Sequence, residues 1–126
     1  MDKEFVSYER SLALKQLGFD GMCFGYYVIT TLLITTDNVY NSKEIPVIKA
    51  PLKQQVFFFF REKYNYNHSI IFHKHPFGTN DYQYMILLED DEYVEVNFNT
   101  YEEAENAGID KLIEICKQQD NERRSI

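Results

Sequence analysis

The sequence predicts an α+β fold in which an antiparallel sheet of about four strands packs against three helices. Three observations carry that expectation. Residues 68–98 hold three consecutive strand-like stretches divided by turn residues. Capping residues open helical patterns at Ser7 and Thr100, and a proline opens a third at Pro51. The chain has 126 residues, enough for one domain, and its 44% hydrophobic share can supply a core.

The elements follow in order. Ser7 can cap the orphan amides of a helix over 7–17, Glu9 lies where the helix dipole favours a carboxylate, and Gly18 is the stop. Tyr8, Leu12 and Leu17 form its apolar stripe, with Ala13 and Leu14 beside them. The stretch MCFGYYVITTLLITT at 22–36 is β-branched and aromatic and reads as one or two strands. A polar turn is expected at 37–42. EIPVIKAP comes next, and its two prolines make it an extended connection or an edge strand.

Pro51 starts the second helix, over 52–64, where a missing amide costs nothing. Leu52, Val56, Phe59, Phe60 and Tyr64 lie near one face, and Lys53, Gln54, Arg61, Glu62 and Lys63 supply the polar side. Phe57 and Phe58 widen the apolar arc. HSIIFHK and YQYMILL, joined by HPFGTND, read as a hairpin with a loop longer than the tightest turns. After the acidic EDDE, YVEVNF alternates, with Tyr93, Glu95 and Asn97 on one side and Val94, Val96 and Phe98 on the other. The three strands would form a meander, and the sheet is expected to draw on 22–35, 68–74, 82–89 and 93–98.

The last helix is expected over 100–119. Thr100 is its N-cap and Glu103 completes a capping box. Tyr101, Ala104, Gly108, Leu112 and Ile115 or Cys116 form its inward face. Gly108 costs about 1 kcal/mol of helix propensity against alanine, which suggests a packing reason. DNERRSI reads as a frayed end, so the expectation is a single domain over 1–119 and a flexible tail over 120–126.

Three segments carry a resemblance. SYERSLALKQLGFD, FREKYNY and TYEEAENAGIDKLIEICK, in that order, resemble segments of small uncharacterised proteins from phages and prophages of Bacteroidetes-like hosts. Phe59 stands where those proteins usually carry tryptophan. The resemblance implies a small accessory gene product with an α+β fold and brings no catalytic residues with it. The matched positions are caps and core faces.

Composition narrows the function classes. The net charge of -7 disfavours binding to nucleic acid, which depends on a basic surface. The charge is uneven: residues 43–75 carry six Lys/Arg against two Glu, whereas 89–95 carry five carboxylates and no base. A dipolar surface of this kind could pair with a protein partner or with a second copy of the chain. The cysteines, Cys23 and Cys116, lie far apart, and the N-terminal segment lacks the apolar core of a signal peptide, so a cytoplasmic location with free thiols is expected. No apolar run has the length of a membrane span. The aromatic residues, 16% of the chain and all Tyr or Phe, suit a core boundary or an interface.

HKHPFG, at 73–78, is the stretch that invites a site. His73 and His75 point to one face if the strand continues that far, as two zinc-binding histidines would, and His68 faces the other way. The candidate metal set is His73, His75, Asp81 and Asp91, with Asp90 and Glu92 as neighbours. The plainer reading makes the histidines the shoulder of a hairpin and the acidic run a solvated turn. Cys23 and Cys116 read as buried thiols rather than nucleophiles. Gly18, Gly21 and Gly25 do not have phosphate-loop spacing. No catalytic residue and no cofactor is assigned. The leading expectation is a non-enzymatic accessory or protein-interaction protein, with a second copy of the chain or another protein as its partner. The alternatives are a small metal-binding protein or hydrolase using His73 and His75, and a nucleic-acid-related modulator.

Overall fold

Ser7 and Gly18 bracket the first helix as expected. In the computed structural model, which describes residues 2–21, 23–28, 30–34 and 47–124, α1 runs over Tyr8–Gln16. The Ser7 hydroxyl accepts the Arg10 amide at 3.3 Å. At the other end Gly18 sits at φ 93, and the Phe19 and Gly18 amides reach back to the Leu14 and Lys15 carbonyls, each at 3.0 Å. That 6→1 and 5→2 pair is a Schellman closure, which needs a residue tolerant of positive φ.

The chain divides into two compact units, Met1–Val56 and Phe57–Ile126. In the first, β1 (Gly25–Val28) pairs antiparallel with β2 (Thr31–Ile34) on one side and β3 (Val47–Ala50) on the other. The stretch read as one or two strands is thus two, and the proline-flanked piece is an edge strand. Phe5, Tyr27, Ile48 and Ala50 form a buried cluster, flanked by Tyr8, Leu12, Leu32 and Leu52. The Tyr27 hydroxyl donates to the Val6 carbonyl at 2.7 Å, so a buried phenol is satisfied by main chain. The turn expected at 37–42, and Pro46, lie outside the described residues.

The boundary between the units falls within α2 (Lys53–Tyr64). Its buried positions are Lys53, Val56, Phe57 and Phe60, at i, i+3, i+4 and i+7. The inward face is therefore turned from the expected one: Phe57 and Lys53 point in, and Phe58 stays out beneath the Arg61 guanidinium, 5.5 Å from its ring centre. In the second unit β4 (Asn67–His73), β5 (Asp81–Leu87) and β6 (Glu92–Phe98) form the expected antiparallel meander.

The strands do not join into one four-stranded sheet. They form two three-stranded sheets, ordered β2-β1-β3 and β4-β5-β6. The physical reason is the use of Val47–Ala50 as a strand: β1 takes β2 and β3 as its two neighbours and has no edge left for the meander.

α3 (Tyr101–Arg124) extends five residues beyond the expected end at 119. The Thr100 hydroxyl accepts the Glu103 amide at 3.1 Å, and the Glu103 carboxylate reaches back to the Asn99 amide at 3.2 Å, one residue further than a standard capping box. Ala104, Ile109, Leu112, Ile113, Ile115 and Cys116 are buried. Among the described residues, no helix is long and apolar enough to cross a membrane.

Candidate functional site

His73 closes β4, and its cross-strand partner is Asp81, the first residue of β5. The loop between them carries Pro76 and Gly78, with Gly78 at φ 146. The His73 Nε2 donates to the Gln83 side-chain oxygen on the opposite strand. The His75 Nε2 meets the Asp81 Oδ1 at 2.9 Å, and the His75 amide donates to the Asn80 side chain at 3.1 Å. The two imidazoles stand 6.3 Å apart, centre to centre. Each histidine is therefore held by a residue of the hairpin's other arm.

The structure brings His73, His75 and Asp81 together and leaves Asp91 out. Asp91 lies in the β5–β6 turn, where its carbonyl accepts the Leu88 amide at 2.9 Å. The whole of β5 separates that turn from the histidines, about 20 Å for a strand of this length. Asp90 and Glu92 share that far end. Among the described residues, no group of three or more His, Cys, Asp or Glu side chains is placed to hold a metal ion.

His68 lies on the opposite face, as expected from its odd spacing. Its ring stacks on Phe57 with centres 3.6 Å apart. Burial pulls its pKa below the ordinary histidine value, and the Arg61 charge adds to that effect. Both thiols are buried and free. Burial pushes Cys23 up to about 11, against the opposing pull of Lys49. Burial and then Asp120 push Cys116 up to about 12. These shifts run opposite to those of an activated nucleophile.

The two faces of the meander differ. The face bearing His68, Ile70, Tyr82, Tyr84, Ile86 and Tyr93 includes buried Tyr84 and Ile86, and α3 runs against it with Gly108 beside Tyr84. The Tyr84 hydroxyl donates to the Glu95 carboxylate at 2.9 Å. On the other face lie Ile71, His73, Asp81, Gln83, Met85, Leu87, Val94 and Val96. Leu87, Val94 and Val96 remain 42%, 45% and 45% exposed. A sheet face turned to water normally presents polar residues. This one carries polar residues too, among them Asn67, Ser69, His73, Asp81, Gln83 and Glu92, but sets exposed Leu87, Val94 and Val96 among them.

A β-bulge explains why simple alternation fails on β6. Tyr84 pairs with Glu95 but Tyr82 pairs with Phe98, so three residues of β6 span two of β5. Asn97 takes up the extra residue at φ 71, a conformation asparagine tolerates. Phe98 is thereby turned to the helix side, with its ring 5.9 Å from that of Tyr84, and is separated from the valines it was expected to join. The bulge leaves Val94 and Val96 on the open face. Pattern reading missed this because only the Asn97 backbone signals it. No family model, curated protein or solved structure matches the chain.

Proposed function

We propose that this is a non-enzymatic accessory protein that acts by association, and that a second copy of the chain seats on the open face of β4-β5-β6. The observation that carries the reading is the row of exposed Leu87, Val94 and Val96 on the face opposite α3. Charge supplies the choice of partner. One end of that face adjoins the loop carrying Lys74 and His75, and the other adjoins the turn carrying Glu89, Asp90 and Asp91, with Glu92 opening β6 beside it. Two copies related by a two-fold axis, with β5 strands antiparallel, bring the end that carries Lys74 in each against the acidic end of the other.

Light scattering and sedimentation across a concentration series test the reading. The expected result is a reversible dimer that the paired change Val94→Lys, Val96→Lys converts to monomer while circular dichroism stays unchanged. Reversing Lys74 alone, Lys74→Glu, should weaken the dimer, and adding Glu92→Lys should recover part of the loss. A protein that stays monomeric at every concentration sinks the reading.

A further inference from the structure

The first unit carries a cavity at the C-terminal end of α1. It has a volume of about 360 Å³ and is lined by Ser11, Lys15, Gly18, Phe19, Asp20 and Lys49. That volume lies at the lower end of small-molecule sites. Ser11 and Lys15 are one helical turn apart on α1, so they share a face. The Schellman turn at Gly18 brings the chain round to Phe19 and Asp20, and Lys49 comes from β3. The Lys49 ammonium donates to the Asp20 carbonyl at 3.0 Å, which holds it at the cavity and leaves it two further protons to donate. The Lys15 ammonium makes no hydrogen bond or ion pair among the described residues. Two lysines against the single carboxylate of Asp20 make this wall cationic in a chain whose net charge is -7.

The Ser11 hydroxyl supplies the second, independent observation. Ser11 is 1% exposed, and its oxygen has no hydrogen-bond partner among the described residues. A helical serine commonly returns its proton to the carbonyl four residues back, and here it does not. A buried hydroxyl without a partner is costly, and in native structures the exceptions tend to have a reason. An oxyanion in the cavity would provide one by accepting from the hydroxyl, with the lysines that line the same cavity supplying the countercharge. The Phe19 side chain makes the remaining wall apolar.

We infer that this cavity binds a small organic oxyanion, a carboxylate or phosphate monoester with a compact apolar or aromatic body. Its oxygens would be held by Ser11, Lys15 and Lys49, and its body would lie against Phe19. Lysine suits such a group as a point charge without demanding bidentate geometry. The site is separate from the open face of the second sheet, and neither proposal depends on the other.

Amide NMR titrations with benzoate, phenyl phosphate and benzylamine test the inference on the full chain. Benzoate or phenyl phosphate, or both, should shift the signals of 11–20 and 49 saturably, the better of the two identifying the head group, and benzylamine should not. Lys15→Gln and Lys49→Gln should each weaken binding about tenfold, as expected for one charge-assisted hydrogen bond. Ser11→Ala should raise the melting temperature of the free protein and weaken binding. A merely structural flaw at Ser11 would give the first effect without the second. The inference is overturned if neither anion gives saturable shifts, if benzylamine binds as well, or if both lysine variants bind with unchanged affinity.

Discussion

The two units place their glycines in opposite settings. A Cβ on Gly25 of the first unit would stand 2.8 Å and 3.0 Å from atoms of the Phe5 ring and 3.3 Å from a Leu32 methyl. A Cβ on Gly108 of the second would meet its nearest neighbour, the Tyr84 Cβ, at 3.5 Å, an ordinary contact. The first unit is closed by a strand so near the Phe5 ring that no side chain fits. The second is closed by a long helix whose small residue is a convenience. A glycine in a sequence is therefore ambiguous until its neighbour across the core is known, and single substitutions can separate the two cases.

The largest effect should come from the helix-covered side of the second unit. Leu112 is fully buried on α3. Leu112→Ala should destabilise that unit by about 3 kcal/mol, through lost transfer energy and the cavity left behind. Urea unfolding followed by circular dichroism measures the loss, and amide exchange locates it. A cost below about 1 kcal/mol would mean that the core collapses around the gap. Gly25→Ala comes next. Because the Phe5 ring is itself buried, it cannot swing aside cheaply, and the variant should lose roughly 1–3 kcal/mol through overpacking. Gly108→Ala should run the other way and gain up to about 1 kcal/mol from helix propensity. A loss at Gly108 would show that the contact with Tyr84 is tighter than its distance implies, and the contrast between the units would fail.

The features that could be read from the sequence are those whose cause lies within a few residues. Ser7, Gly18 and Thr100 act on amides and carbonyls of their own turn, so α1 and the start of α3 fall where expected. The meander follows from period-two alternation and the turns between its strands. What escaped depends on distant partners. The division into two sheets rests on β3 pairing with β1 across more than a dozen intervening residues. The buried stripe of α2 is decided by what lies against Phe57, including the His68 ring, and four consecutive phenylalanines give no phase of their own. At the candidate site, the shared face of His73 and His75 and the approach of Asp81 were legible in the spacing of a hairpin. The distance to Asp91 was not, because it depends on which end of β5 each turn occupies. Ser11, Lys15 and Lys49 carried only the faint signal of a serine and a lysine one turn apart on α1.

His68 gives the smallest effect and the sharpest test of the covered face. Its imidazole is partly buried against Phe57, and burial first, then Arg61, holds its pKa below the ordinary value of about 6.5. A histidine with a depressed pKa takes up its proton more readily in the unfolded chain. Its neutral form therefore leaves stability intact above about pH 6.5, and stability is lost as pH falls from there toward the lowered value in the folded state. His68→Phe keeps a flat ring on Phe57 and removes the titration. Across the range from about pH 7 to about pH 5, the wild-type melting temperature should fall further than that of the variant. Carboxylates titrate in both proteins and cancel in the difference. Parallel pH profiles would mean that the ring is solvated well enough to protonate in place, and that the stack on Phe57 is looser than a 3.6 Å separation requires.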